Sequence, residues 1–155
     1  VRAVRRTADG AFVEELEVPP LARHLELEPH PEGGWYRRTW ASADTVATPA
    51  GDRPAGTLIV FLLPAGEASA WHRVASTEIW IGGGLGPVVL ETGGSGETPA
   101  TDATVRLGAD AAAGETPQFE IAPNVWQRTL PADHDSLVSC LVSPGFDFAD
   151  FTLAI

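Results

Sequence analysis

Between Gly66 and Trp80, His72 and, six positions later, Glu78 have side chains and a spacing suited to proton transfer or metal binding. If their segments are neighbouring strands of a small barrel, an imidazole and a carboxylate project into one cavity. A carboxylate beside an imidazole raises its pKa and fixes its tautomer, which suits proton abstraction next to a carbonyl. Tyr36 and Arg38 alternate on one face of a Trp-Tyr-Arg-Arg segment, and an inward face would offer a phenol and a guanidinium to an anionic or carbonyl substrate. Trp80 shares the strand face of Glu78 and is expected to wall the same cavity, extended by Trp35, Trp40 and Trp71. Trp126 has the opposite parity to Gln127 and is expected outside. Cys140 lies between Val138 and Val142 and reads as a small packed hydrophobe, with no His placed to activate it. His30 reads as a turn residue beside Gly33 and Gly34, while His24 and His134 read as solvent-facing.

The elements that must position these groups are short and β-rich. Strands are predicted over residues 35–42, 57–63, 69–74, 78–81, 88–92, 104–107, 118–121, 125–130, 137–142 and 151–154, separated by Gly and Pro clusters. Only Val18 to Leu27, with Pro at a first helical position and Leu21, Leu25 and Leu27, predicts a helix, of two turns at most. Such a pattern makes a sandwich or a barrel. The Gly-rich stretch from Thr92 to Thr101 is read as a surface hairpin loop, because neither side alone carries enough strands to close a barrel.

Composition narrows the partners. The net charge is −11 and all basic residues are Arg, which disfavours nucleic acid and anionic membranes. Arg2, Arg5 and Arg6 form the only basic cluster and read as a solvated tail. One cysteine excludes an intramolecular disulfide, no apolar run is long enough to span a membrane, and no secretory pattern is present, so the expected location is the cytoplasm.

The blocks His30-Pro-Glu-Gly-Gly-Trp-Tyr-Arg-Arg-Thr39, Phe61-Leu-Leu-Pro-Ala-Gly-Glu67, His72-Arg73, Glu78-Ile-Trp80, Val125-Trp-Gln127 and Pro144-Gly-Phe-Asp-Phe-Ala-Asp-Phe151 occur in order. Together they resemble the cupin superfamily, and within it the fifth cupin subfamily, a former domain of unknown function described as epimerase-like. Gly66, His72 and Glu78 keep the spacing of the first cupin motif, with Val74 in place of its second His. Ile121-Ala-Pro-Asn124-Val-Trp-Gln127 occupies the second motif, with Asn124, which tolerates positive φ, where the family has Gly, and Gln127 where a third ligand would stand. The subfamily commonly has Glu at the place of Arg38 and His at that of Ile81.

The resemblance implies an all-β single cupin domain, a double-stranded β-helix or jelly-roll barrel, over residues 21–155. Residues 1–20 are an N-terminal extension that could supply an added or exchanged edge strand, and barrels of this superfamily pair as homodimers. The expected function is metal-independent isomerase, epimerase or cyclase-like chemistry on a small oxygenated molecule, without a cofactor. His72 and Glu78 move protons, and Tyr36, Arg38, Gln127, Trp80, Trp35 and Trp71 bind the substrate. The alternatives are a non-catalytic metabolite-binding cupin and a metal-dependent oxygenase or lyase with the reduced ligand set His72, Glu78 and Gln127.

Overall fold

The computed structural model describes all 155 residues. Fifteen strands, one short α-helix and two single-turn 3-10 helices, Ala111–Ala113 and Phe148–Asp150, are the regular elements of the chain. The N-terminal hairpin consists of β1 (Arg2–Arg6) and β2 (Phe12–Glu17), followed by α1 (Pro20–His24), β3 (Glu28–Pro29), β4 (Trp35–Ala41), the small hairpin of β5 (Thr45–Thr48) and β6 (Gly51–Pro54), and β7 (Thr57–Leu63). Then come β8 (His72–Val74), β9 (Thr77–Leu85), β10 (Val88–Thr92), β11 (Ala103–Leu107), β12 (Gln118–Ile121), β13 (Gln127–Thr129), β14 (Ser136–Ser143) and β15 (Phe151–Leu153). No helix is long and apolar enough to cross a membrane.

Two antiparallel sheets form the jelly roll. One has the order β12-β9-β14-β7-β4-β3, the other β11-β10-β13-β8-β15. Period-two alternation decides which side chains face inward. Along β14, Ser136, Val138, Cys140 and Val142 are buried while the residues between them are half-buried. Along β9 the buried residues are Glu78 and Trp80. Loop 93–102 joins the β10–β11 hairpin, as the Gly-rich composition predicts. Asn124 has φ 63°, the left-handed conformation expected at its position in the second motif.

Register lays the inward residues in rows. Glu78, Val142 and Thr57 stand side by side, then Trp80, Cys140, Ile59 and Arg38, then Val138, Phe61 and Tyr36. The barrel is therefore unevenly filled. Phe61, Trp80, Leu63, Val88, Leu90, Leu107, Ile121, Val138 and Cys140 form one continuous apolar cluster that plugs one end, each large apolar side chain contributing roughly 1.5–3 kcal/mol when fully buried. The other end stays open around Glu78 and His72.

The outer face of β4 and β7 is covered as well. Trp35 and Leu62 pack there against Ala22 and Leu27, with Ala3, Leu16 and Val18 of the N-terminal segment closing over them. The hairpin of β1 and β2 forms a sheet of its own. Arg2 and Arg6 are exposed, but Arg5 is not the solvated residue its composition suggests. It shares the inward parity of Ala3 and is 5% exposed. Its positive charge sits among carbonyls and carboxylates, which is what makes burying a guanidinium tolerable.

Candidate active site

The open end of the barrel is a cavity of about 480 Å³. His72 and Val74 of β8, Glu78 of β9, Cys140 and Val142 of β14, Thr57 and Ile59 of β7, and Tyr36 and Arg38 of β4 line it, with Phe146 and Phe148 as an aromatic flank. Two further residues, His30 and Glu32, reach in from the rim, where the residue pattern predicts only a turn. His30 does close a turn, since its carbonyl accepts the Gly33 N–H and its N–H meets the Gly34 carbonyl. That turn folds into the barrel mouth rather than into solvent. Gly33 permits it: at φ +111° its backbone passes so near residues 68–69 that a Cβ would collide with the Ala68 carbonyl oxygen.

The partner of His72 is Glu32, not Glu78. His72 is 1% exposed, and its Nδ1 lies 2.7 Å from the Ala70 carbonyl. A carbonyl only accepts, so Nδ1 carries the proton and Nε2 faces Glu32 Oε2 at 3.3 Å. Ala70 also donates its N–H to the Glu32 carbonyl at 2.7 Å, so one residue sets the spacing of both members. His30 accepts the Glu32 N–H on Nδ1 at 3.1 Å and stands 3.3 Å from Glu32 Oε1.

Burial dominates the protonation of all these groups. It pushes His72 down to about 4 and His30 well below the usual imidazole range, the latter helped by the charges of His72 and Arg5. It pushes Glu32 well above the carboxylate range, helped by Glu78. The Glu32–His72 pair is thus a neutral acid facing a neutral base and holds one mobile proton between them.

Glu78 is tuned separately. Its Oε1 accepts from Gln127 Nε2 at 2.8 Å, and the Gln127 Oε1 accepts the Trp80 indole N–H at 2.6 Å. An indole N–H can only donate, so Trp80 fixes the amide orientation and compels Gln127 to donate to Glu78. Burial raises Glu78 to about 7, against the Gln127 and Cys140 hydrogen bonds that favour its charged form. Cys140 is the small packed residue expected, its thiol pushed up by burial. Tyr36 is half-buried and raised to about 12 by burial and by Glu28, which keeps its phenol protonated. Arg38 anchors Nη2 on the Phe146 carbonyl at 2.7 Å at the cavity mouth.

Four of the residues expected to touch substrate do not line the cavity. Trp80 has the right face but is packed into the apolar cluster, edge-on to Phe61, and Gln127 is wholly buried behind Glu78. Trp35 points out of the barrel, its indole on Glu67 Oε2 at 3.3 Å. Trp71 stacks under Arg128. Trp40, expected to extend the same wall, is exposed. Trp126, expected outside, packs beneath Arg73. His24 is exposed, and His134 is half-buried against the Pro87 carbonyl.

The family described as Cupin superfamily (DUF985) matches residues 20–154. The chain belongs to this cupin family. Among solved structures, the cupin is similar to a protein from Shewanella oneidensis, at 36% identity over 86% of this chain and 81% of that one, TM-score 0.75. It is also similar to a hypothetical protein from Leishmania major, at 32% identity over 84% and 83%, TM-score 0.73. A cupin-like protein from Thermotoga maritima shares the fold at 15% identity over 77% and 74%, TM-score 0.52. No curated protein matches the chain.

Many cupins carry a metal at the two motifs. Here those positions are His72, Val74, Glu78 and Gln127, and the donor set does not fit one. Val74 has no donor atom, and both polar atoms of the Gln127 amide are committed to Trp80 and Glu78. His30, Glu32 and His72 meet at the cavity but face one another, and no group of three His, Cys, Asp or Glu side chains is placed to hold a metal ion.

Proposed function

We propose that this cupin catalyses proton transfer at a carbon next to a carbonyl in a small oxygenated molecule, as in epimerisation or isomerisation, without a metal. The observation that carries the reading is the pairing of two separately tuned acid/base units on one cavity. One is Glu78 near pH 7; the other is the Glu32–His72 pair with its single proton.

In the proposed sequence, ionised Glu78 takes the proton from carbon while the Glu32–His72 pair gives its proton to the carbonyl oxygen, which leaves a bound enediol, a protonated Glu78 open to exchange with solvent, and an ionised pair. Return of the proton from Glu78 to the neighbouring carbon, as the pair takes one back from the oxygen on the first carbon, gives the isomer. Return from the Tyr36 phenol to the opposite face of the first carbon, as the pair takes back the proton it gave and Glu78 reprotonates the phenolate, gives the epimer. Both outcomes conserve atoms, restore every group and need no oxidant. A cavity of about 480 Å³ suits a small metabolite, with Ile59, Val74, Val142, Phe146 and Phe148 against its apolar flank. Arg38 at the mouth holds an oxygen substituent.

The test is solvent exchange at carbon. The compound that native mass spectrometry finds bound to the purified chain, and a panel of α-hydroxy ketones, are incubated with the protein in D₂O. Wild type is expected to introduce deuterium at one carbon, and His72→Ala to lose the exchange while still binding. Tight binding without exchange would make the cupin a metabolite-binding protein instead. Near-stoichiometric iron, zinc, nickel or manganese, removed together with activity by chelation, would contradict the metal-free reading.

A further inference from the structure

The residues that enter the cavity from the rim, His30 and Glu32, sit on a loop held from outside the barrel by one side chain. Arg5 Nη1 donates to the His30 carbonyl at 2.5 Å and to the Gly34 carbonyl at 3.1 Å, the two ends of that loop. Nη2 meets Glu67 Oε1 at 2.5 Å, and Nε faces Glu14 Oε2 at 3.3 Å. Glu67 grips the same loop from the other side, accepting the Gly34 N–H at 2.9 Å on Oε1 and the Trp35 indole N–H at 3.3 Å on Oε2. A fork of this kind fixes orientation as well as distance, which a single ammonium cannot do. Arg5 belongs to β1, outside the matched residues 20–154, so the clasp is supplied by a segment beyond the family match.

We infer that Arg5 is a positioning residue, by which the N-terminal hairpin holds the His30–Gly34 loop so that Glu32 faces His72. The inference builds on the acid/base reading of that pair. Its physical content is local: freeing the two carbonyls loosens the turn, lets water reach His30 and Glu32, and removes a positive charge that disfavours protonation of His30. The groups facing His30 are Glu32 on its own loop, His72 on β8, Arg5 on β1 and the Tyr36 phenol on β4, with Phe61, Phe146, Phe148 and Phe151 around its ring. Of these, Arg5 is the one reached from the hairpin.

The experiment compares full-length wild type, Arg5→Ala, Arg5→Lys and Leu16→Ala by amide hydrogen exchange and by NMR titration of the histidines. Leu16→Ala loosens the hairpin's apolar packing while leaving the guanidinium in place. In Arg5→Ala, exchange at Gly33 and Gly34 is expected to rise about tenfold or more relative to β14, and the His30 and His72 titrations to move up by about half a unit or more. Arg5→Lys restores the charge but not the fork, so its Gly34 exchange stays fast while His30 returns toward wild type. If Arg5→Ala does not fold, Arg5→Lys against Leu16→Ala decides the matter on Gly34 exchange. Unchanged Gly33 and Gly34 exchange in the Arg5 variants, or equal histidine shifts in Leu16→Ala, overturns the inference. None of these readouts involves turnover, so a failed clasp is distinguishable from a failed acid/base site, which shows instead as absent or His72-independent deuterium exchange.

Discussion

Replacing Glu78 by Gln is expected to stabilise the protein at pH 8 and to change it little at pH 4. The folded carboxyl titrates near 7, against about 4.5 in the unfolded chain. Between those values the unfolded state releases its proton first, so the stability of the wild type falls as pH rises, by about 3 kcal/mol in all for this one group. The uncharged amide of the E78Q variant escapes that loss. His72 has the opposite sign: depressed from 6.5 to about 4, it contributes stability that is present above pH 6.5 and lost as pH falls through 4. The two slopes oppose each other across the middle of the range, so the pH curve of the wild type conceals both. Urea midpoints of the wild type and the E78Q variant at pH 5 and pH 8 separate them. A gain that is the same at both pH values would mean that Glu78 titrates as an ordinary carboxyl.

The second large effect is kinetic. Glu32→Gln keeps the shape of the side chain and a donor to His72 but cannot pass a proton on, so deuterium exchange is expected to fall by about 10²–10⁴-fold. Binding of the same compound, followed by calorimetry, should stay within about threefold, since the lost step is chemical rather than a shared ground-state contact. His72→Ala should cost a similar factor, and the double variant little more, because two residues sharing one proton act as a unit. Additive losses in the double variant would show that Glu32 and His72 work independently.

The barrel strands were legible because alternation and Gly/Pro punctuation mark them: β7, β10 and β12 have the expected bounds. The N-terminal hairpin was not, since Phe12-Val-Glu-Glu-Leu-Glu17 has no clean period of two. Its charges find their partners only in the folded chain, Arg2 on Glu15 across the ribbon and Arg5 on Glu14 and on Glu67 beyond it. The hairpin of β5 and β6 is likewise too short and polar to announce itself.

At the site, parity told correctly that Glu78 and Trp80 share a face. Depth along the barrel axis is not a property of parity, and the apolar plug around Trp80 is built by residues from distant strands. Glu32 was hidden by its setting. A Glu followed by two glycines reads as a solvated turn, and only the close approach of Gly33 to Ala68 shows that this turn enters the cavity. The available signal was the His-x-Glu spacing, which puts both side chains on one side of a tight loop.

The protonation state of the cavity decides whether two tuned acid/base units exist, and NMR of ¹⁵N-histidine and ¹³C-glutamate protein measures it directly. His72 is expected to be the neutral Nδ1–H tautomer down to about pH 5, and the Glu78 carboxyl to have its midpoint near pH 7. An Nε2–H tautomer titrating near 6.5, or a Glu78 midpoint near 4.5, would contradict both the pairing and the proposed chemistry.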